Sequence, residues 1–178
     1  MKKISSKGIL KNKKFKMLRR IGGHKIYHQE GNALRHTILV WRASKKIFRN
    51  DPMMQLVALL HDIGKIITSQ RSGKGNWTYP NHSMAGGIIL SEFIPESYEN
   101  YHLIKWYIEN HIKPLFWKSE EDALHLRVPE GASLKNLARL ALCDLCGSHA
   151  IAEVDNTELI KLLRRIGEVN SHQIKGLE

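Results

Sequence analysis

The sequence predicts an all-α protein, with a single helical domain behind a basic N-terminal arm. Three observations predict it: apolar residues recur at helical spacing, few segments alternate like strands, and Pro and Gly separate the periodic segments. The chain has 178 residues, which suits one domain with a substantial core. We therefore expect an arm over residues 1–20 and a helical domain over residues 21–178.

The expected arm is strongly basic. Its 20 residues carry nine Lys and Arg and no Asp or Glu. The whole chain has 28 basic and 17 acidic side chains, and its net charge of +11 favours anionic partners such as nucleotides or nucleic acid. The arm lacks the series of interleaved aromatic residues that forms a base-stacking platform. Contact with nucleic acid and a merely solvated basic surface therefore both remain open.

The composition also bears on location. The arm lacks the continuous apolar core of a signal peptide, so we expect a cytoplasmic protein. No apolar stretch approaches the roughly 18 residues that span a bilayer, so we expect no membrane partner. Cys143 and Cys146 lie in a helical segment and are expected to be buried free thiols, although their spacing leaves zinc or redox chemistry open.

The first half of the domain is expected to form two helices and a loop. Residues 34–48 place apolar side chains near one face. Asp51 and Pro52 are typical of a helix start, with Asp as N-cap, and Gly64 indicates the end of that helix. The polar segment from residue 68 to 80 predicts a loop or lid.

Four more helices are expected in the second half. Two cover residues 82–93 and 98–112, and each stops before a proline. Residues 118–132 predict a loop. Ser133 and Thr157 are the expected N-caps of the last two helices.

Histidine and aspartate residues recur in this helical pattern. His61 and Asp62 end an apolar run, where an unpaired carboxylate costs several kcal/mol and a bound cation is a candidate partner. His36 lies in the preceding helix and Asp144 in another apolar run. Each alone is also consistent with an ordinary core histidine or a salt-bridged aspartate. Together, two imidazoles and two carboxylates favour a site for a first-row divalent ion.

Two further histidines border polar loops. His82 begins one predicted helix and His111 ends another, and functional side chains tend to cluster at such places. Each alone is equally consistent with a surface residue. If both join the site, a second ion can bind, and two ions can polarise a phosphate and activate water.

The ordered set His36, His61-Asp62, His82, His111 and Asp144 resembles the HD-domain metal-dependent phosphohydrolases. His61-Asp62-Ile63-Gly64-Lys65 resembles the family's doublet with its trailing Gly-Lys. His82-Ser83-Met84-Ala85-Gly86 resembles its His with a Gly four residues later. The segments at 27–37 and 109–114 are similar to the HD domain of bacterial CCA-adding tRNA nucleotidyltransferases. The resemblance covers residues 24–150.

The resemblance implies roles for these residues. His36, His61, Asp62 and Asp144 are expected to hold one ion, and His82 and His111 a second, with Asp62 as a bridge. The expected metal is Mn, Fe, Co, Ni or Mg, as one or two ions. The CCA-adding enzymes carry a nucleotidyltransferase domain before this region, whereas here only the basic arm precedes it, so nucleotide addition is not expected.

The expected activity is hydrolysis of a phosphate ester on a nucleotide or RNA end, by a phosphatase or a 2′,3′-cyclic phosphodiesterase. Asp62 and Lys65 are the expected catalytic residues, and Lys65 is also consistent with a helix-end lysine. Candidate substrate contacts are Lys65, His28, Glu30, Arg35 and Lys113, with Arg71 and Lys74 as further phosphate contacts and Trp77 and Tyr79 as base-stacking residues. Local hydrogen bonds or a solvated surface explain these equally well. The rivals are a nucleotide- or nucleic-acid-binding module without turnover and a structural zinc domain.

Overall fold

The computed structural model describes residues 4–22, 31–73, 75–148 and 156–168, and in these ranges the protein is a helical bundle. The α-helices are α1 (Ser6–Lys11), α2 (Ala33–Ile47), α3 (Pro52–Leu60), α4 (Lys65–Thr68), α5 (His82–Ile89), α6 (Tyr101–Asn110), α7 (Glu120–Leu124), α8 (Leu134–Gly147) and α9 (Thr157–Gly167). Short 3₁₀ helices cover Phe15–Arg20, Leu90–Glu92 and Lys113–Phe116. The predicted all-α class is confirmed.

The helix starts follow from local capping. The Asn32 side chain accepts a hydrogen bond from the Arg35 amide at 3.0 Å and begins α2. Asp51 accepts from the Met54 amide at 2.9 Å, with Pro52 in the first turn of α3. Ser133 caps α8 as predicted, whereas α9 begins with Thr157 after an Asn156 N-cap. The side chains of Asn32, Asp51 and Ser133 satisfy amides that have no partner inside the helix, whereas Asn156 makes no such side-chain bond.

The core is organised around α8. Helix α2 packs along one side of α8, α9 packs on another, and α3 contacts both α2 and α8. A Cβ on Gly147 would lie 2.4 Å from the Val40 Cγ2 atom, so this glycine lets α8 approach α2 closely. Val40, Leu59 and Leu142 are fully buried between these helices. The close contact brings one ligand-bearing face of α2 against another on α8.

The helix expected to end at Gly64 ends earlier, at Leu60. A turn over residues 61–64 follows, and α4 starts at Lys65. The Ile63 amide bonds the Leu60 carbonyl at 3.2 Å and the Lys65 amide bonds the Asp62 carbonyl at 3.0 Å, which are the tighter i to i+3 bonds of a turn. This turn carries His61 and Asp62, so both side chains leave the regular helix.

Two segments expected to be loops contain short elements. Strands β1 (Gln70–Arg71) and β2 (Trp77–Thr78) pair antiparallel inside the segment at 68–80. Helix α7 lies inside the segment at 118–132, where Ser119 and Asp122 form a reciprocal capping box. The prediction of loops was therefore incomplete for these two segments. Their Gly, Pro and polar residues favour loops, and the short strand pair and the short helix leave no periodic pattern in the sequence.

The N-terminal segment packs on the domain between residues 4 and 22. Ile9, Phe15 and Leu18 are buried in the main core, and the Phe15 ring meets the Phe93 ring edge-on at 6.5 Å between centroids. Lys14 forms an ion pair with Glu92. The charge of this segment predicts a basic arm and gives no sign of these apolar contacts with the core.

Two further observations concern cysteines and helix length. Cys143 is buried and Cys146 is half-buried, and both are free thiols, as expected. Burial raises the pKa of Cys146 to about 11, so the thiol stays protonated at neutral pH.

None of the described helices combines the length and apolar character that crossing a membrane requires.

Candidate metal centre

Six side chains converge on one point inside the bundle. They come from α2, the turn after α3, the start of α5, the C-cap of α6 and the last turn of α8, and they are His36, His61, Asp62, His82, His111 and Asp144. The Nε2 atom of each of the four histidines lies within 4.0 Å of an Asp62 carboxylate oxygen. Asp144 joins them through His36, whose Nε2 atom lies close to its carboxylate. All six residues predicted as metal ligands are therefore brought together.

The first group of donors consists of His36, His61 and Asp144. Their ligand atoms lie within 4.8 Å of one another. His36 Nε2 is 2.9 Å from Asp144 Oδ1, and His61 Nε2 is 3.8 Å from the same oxygen. Asp62 Oδ2 completes this side, at 3.6 Å from His36 Nε2 and 3.4 Å from His61 Nε2.

The second group of donors faces the other oxygen of Asp62. His82 Nε2 is 3.4 Å and His111 Nε2 is 3.8 Å from Asp62 Oδ1. The two Nε2 atoms are 3.3 Å apart. The Asp62 carboxylate thus lies between the two groups, with one oxygen toward each. A carboxylate in this position can offer one oxygen to each group of histidines.

Backbone carbonyls orient three of the four imidazoles. His61 Nδ1 lies 2.8 Å from the Ala58 carbonyl, His82 Nδ1 3.0 Å from the Tyr79 carbonyl, and His111 Nδ1 2.7 Å from the Ile108 carbonyl. A carbonyl only accepts, so each Nδ1 donates its proton. A neutral ring then leaves the Nε2 lone pair directed at the centre, which is how metal-binding histidines are usually held.

Burial in the centre keeps His82 and His111 neutral. Burial lowers the pKa of His111 to about 3, helped by repulsion from His61 and His82. Burial also lowers the pKa of His82, against the opposing attraction of Asp62. Both rings are therefore neutral at pH 7 and can offer a lone pair.

The two carboxylates stay ionised. Burial alone would raise the pKa of Asp62, but the charges of Lys65 and His61 outweigh burial and hold it well below its usual range. The pKa of Asp144 is also lowered, because the hydrogen bond and charge of His36 outweigh burial. Two anionic carboxylates beside the neutral rings of His82 and His111 make a donor set for a divalent cation.

The unsatisfied atoms of the centre fit a metal. His61 Nε2 is buried and has no hydrogen-bond partner within the described ranges. His82 Nε2 and His111 Nε2 face each other as two acceptors, an arrangement that is stabilised when a cation lies beside both. Mixed nitrogen and oxygen donors suit Mn, Fe, Co or Ni, and Mg less well because it prefers oxygen.

Two glycines allow the helices to come this close. A Cβ on Gly64 would lie 1.8 Å from the His82 carbonyl oxygen, and a Cβ on Gly86 would lie 2.7 Å from Ile108 Cγ2. The turn after α3 therefore packs directly on α5, and α5 directly on α6. This close packing sets the separation of His82 and His111 from Asp62.

Lys65 and Tyr79 adjoin the centre. The Lys65 ammonium is 2.7 Å from Asp62 Oδ2, and its side chain is only 5% exposed. The ammonium also lies 4.7 Å from the centroid of the Tyr79 ring. The sequence predicts Tyr79 as a stacking residue or an anchor of the loop, whereas the bond between its carbonyl and His82 has no sequence signal beyond its position three residues upstream.

The other predicted substrate residues are less connected to the centre. Arg35 and Lys113 are exposed, each one or two residues from a proposed ligand, and their role stays a prediction. Arg71 is exposed and lies 6.0 Å from the centroid of the Trp77 ring. His28, Glu30 and Lys74 lie outside the described residues.

Comparison with known protein families gives a match over most of the chain. A family model described as the HD domain matches residues 33–153, about two-thirds of the chain and a range that contains all six converging side chains. No curated protein and no solved structure matches significantly. The finer likeness to the CCA-adding enzymes therefore has no support from these comparisons.

Proposed function

The chain belongs to the HD-domain family of metal-dependent hydrolases, and from this premise we propose that it hydrolyses a phosphate ester on a nucleotide or an RNA end. The observation that supports the proposal best is the position of Asp62. One of its oxygens faces His36 and His61, and the other faces His82 and His111. This arrangement suits one or two divalent ions held side by side.

The proposed ligands divide between the two oxygens of Asp62. His36, His61 and Asp144 would hold one ion with Oδ2, and His82 and His111 would hold another with Oδ1. A bound divalent ion would supply a Lewis acid that polarises a phosphate oxygen and lowers the pKa of a water molecule. The protein fixes the ligand directions through the carbonyl bonds to His61, His82 and His111.

Lys65 is proposed to act on the substrate. Its buried ammonium carries donors beyond the one that bonds Asp62 Oδ2 at 2.7 Å. A free N–H of this ammonium can bond a phosphate oxygen or the leaving-group oxygen. Developing negative charge on either oxygen is then stabilised in a site shielded from water. Asp62 and Lys65 are accordingly the proposed catalytic residues.

Further cations are proposed to bind the rest of the substrate. Arg35 and Lys113 are exposed side chains close in sequence to His36 and His111, and either can pair with a phosphate. His28 and Glu30 are proposed as contacts with the sugar or base. Both phosphomonoesters and 2′,3′-cyclic phosphodiesters satisfy this description.

The test combines metal content with hydrolysis. The purified protein is loaded in turn with Mn, Fe, Co, Ni and Mg and assayed on nucleoside monophosphates, 2′,3′-cyclic nucleotides and phosphorylated RNA ends. Asp62→Asn should lower metal affinity by more than about 100-fold, because even an outer partner of a ligand is worth about 10- to 100-fold. Glu121→Gln, an exposed carboxylate, is the control. Absence of hydrolysis with every metal and substrate would refute the enzyme proposal.

A nucleotide- or nucleic-acid-binding module without turnover is the alternative. A module that only binds has no need of a full ligand set, whereas here all six side chains converge. Bound nucleotide that survives incubation with metal would favour the module. Unfolding on chelation would instead favour a structural zinc site.

A further inference from the structure

The N-terminal segment presents a folded basic face. We define this face by six exposed cations: Lys7, Lys11, Lys13, Lys16, Arg19 and Arg20. No acidic residue lies between residues 4 and 22. Within that stretch Lys14 has an acidic partner, Glu92, and it is not counted in the face.

The fold holds these cations in place. A 3₁₀ helix has three residues per turn, so side chains three apart line up in rows. Phe15, Leu18 and Ile21 form the inner row and are buried. Lys16 and Arg19 form an outer row, with about 6 Å between them along the axis.

A fixed row of like charges is repulsive by itself. The repulsion turns into attraction when a chain of anions lies opposite, since each cation can then pair with a phosphate and release its counterion. The packing of Phe15 and Leu18 means that this arrangement is already ordered before any partner binds. Little conformational freedom is lost on binding.

The basic face ends beside the metal centre. The Tyr79 hydroxyl donates to the Gly22 carbonyl, and the Trp77 indole Nε1 lies 2.3 Å from where a Cβ of Gly22 would be. The Tyr79 carbonyl in turn accepts from His82 Nδ1 at 3.0 Å. One continuous set of contacts therefore leads from the end of the face to a proposed ligand.

The centre is open at His82 on this side. The His82 side chain is 16% exposed and that of Asp144 is 13% exposed, against 2% for His36, Asp62 and His111. Trp77 lies beside Gly22 and is half-buried, and Arg71 is exposed on the paired strand, so an aromatic ring and a further cation lie near the end of the face. Aromatic rings next to cations are the usual contacts of an unpaired strand.

We propose that the basic face binds the phosphodiester backbone of a single-stranded polynucleotide whose terminal phosphate reaches the metal centre. This inference rests on the proposed function and selects an RNA end over a free nucleotide as the substrate. A membrane surface fits less well, because the apolar side chains of the segment point into the core and only Met17 is exposed among the cations.

The test compares two triple variants with the same change in charge. Lys16→Gln/Arg19→Gln/Arg20→Gln removes cations of the basic face. The control, Arg42→Gln/Lys46→Gln/Arg49→Gln, removes three exposed cations at the far end of α2 and just after it. Fluorescence anisotropy measures binding of a labelled single-stranded RNA of about 12 nucleotides without a terminal phosphate, at several salt concentrations. Circular dichroism melting checks that both variants fold.

Each phosphate contact contributes about 0.7 to the slope of log K against log salt for a single strand, so losing three should reduce the slope by about 2. At 0.1 M salt the same relation gives an affinity loss of about 100-fold for the face variant. The control should change affinity by less than about threefold. Equal losses in both variants, or tight binding to vesicles of anionic phospholipid with no binding to RNA, would overturn the inference.

Hydrolysis separates this inference from the proposed function. The face variant should raise KM for an RNA carrying a terminal phosphate by about 100-fold and leave hydrolysis of a nucleoside monophosphate unchanged. RNA binding that depends on the face, without any hydrolysis, would overturn the proposed function alone. Hydrolysis with RNA binding that does not depend on the face would overturn the inference alone.

Discussion

Gly64→Ala should disrupt the metal centre without touching any proposed ligand. The added Cβ would lie 1.8 Å from the His82 carbonyl oxygen and 2.4 Å from the Gly86 amide nitrogen, where ordinary contacts start at 3.4 Å. Both obstacles are backbone atoms, so they cannot rotate away. Helix α5 must therefore move by about 1.5 Å relative to the turn that holds Asp62, carrying His82 with it.

The expected losses of activity and stability follow from this displacement. His82 Nε2 lies 3.4 Å from Asp62 Oδ1, so a shift of this size removes His82 from the second group. A misplacement of about 1 Å costs on the order of 100-fold in activity. The strain of overpacking should lower the free energy of unfolding by about 1–3 kcal/mol. His36 and Asp144 lie on α2 and α8, so the first group should still bind.

The assay is isothermal titration with Mn²⁺, alongside urea unfolding and hydrolysis. Wild-type protein that binds two ions should become a protein that binds one. Gly73→Ala is the control, because a Cβ at Gly73 meets nothing within 4 Å. A Gly64→Ala protein with wild-type metal stoichiometry and activity would refute the argument that this glycine sets the position of His82.

Three further predictions concern the charges of the centre. Burial lowers the pKa of His111 to about 3, so as the pH falls below about 6.5 this residue binds a proton in the unfolded chain before it does so in the folded protein. The chelated protein should therefore lose about 2 kcal/mol of its free energy of unfolding between pH 6.5 and 5 because of this residue. Urea unfolding of His111→Gln should show a correspondingly smaller loss over the same pH range. Lys65→Met removes the partner of a buried carboxylate and should cost the chelated protein about 3–5 kcal/mol, with metal recovering part of the loss in thermal melts. Metal at about 100 times its Kd should stabilise wild-type protein by about 2.7 kcal/mol, and Asp144→Asn should reduce this gain, while an unchanged gain would exclude Asp144 as a ligand.

The sequence predicted the residues of the metal centre better than the bounds of the helices and turns in which they lie. The resemblance of the ordered His and Asp residues to the HD-domain family predicted His36, His61, Asp62, His82, His111 and Asp144 as one set, and the structure brings all six together. Residue spacing could not show that α3 stops at Leu60, because apolar periodicity continues through Ile63. The turn there depends on packing against α5, which is a tertiary effect.

The basic segment shows a different limit. Phe15, Leu18 and Ile21 recur every three residues, a 3₁₀ period that is easily overlooked among seven cations between residues 4 and 22. The contribution of Tyr79 was also hidden, since it acts on His82 through a backbone carbonyl that every residue possesses. Side-chain chemistry can be identified from residue type, whereas backbone contacts require the fold.

The charges of the centre connect the number of ions to the substrate. Asp62 and Asp144 are anionic, His82 and His111 are neutral and Lys65 is an ammonium, so these five groups carry a net charge near −1. One divalent ion would bring this charge to about +1 and a second to about +3, so the second ion would bind against repulsion from the first. A phosphate dianion would lower the charge with two ions to about +1. Because coupling between ligands is reciprocal, phosphate should strengthen binding of the second ion as much as that ion strengthens binding of phosphate. On the proposed function, the second group of donors, around His82 and His111, should therefore bind metal more tightly when substrate is present than when it is absent.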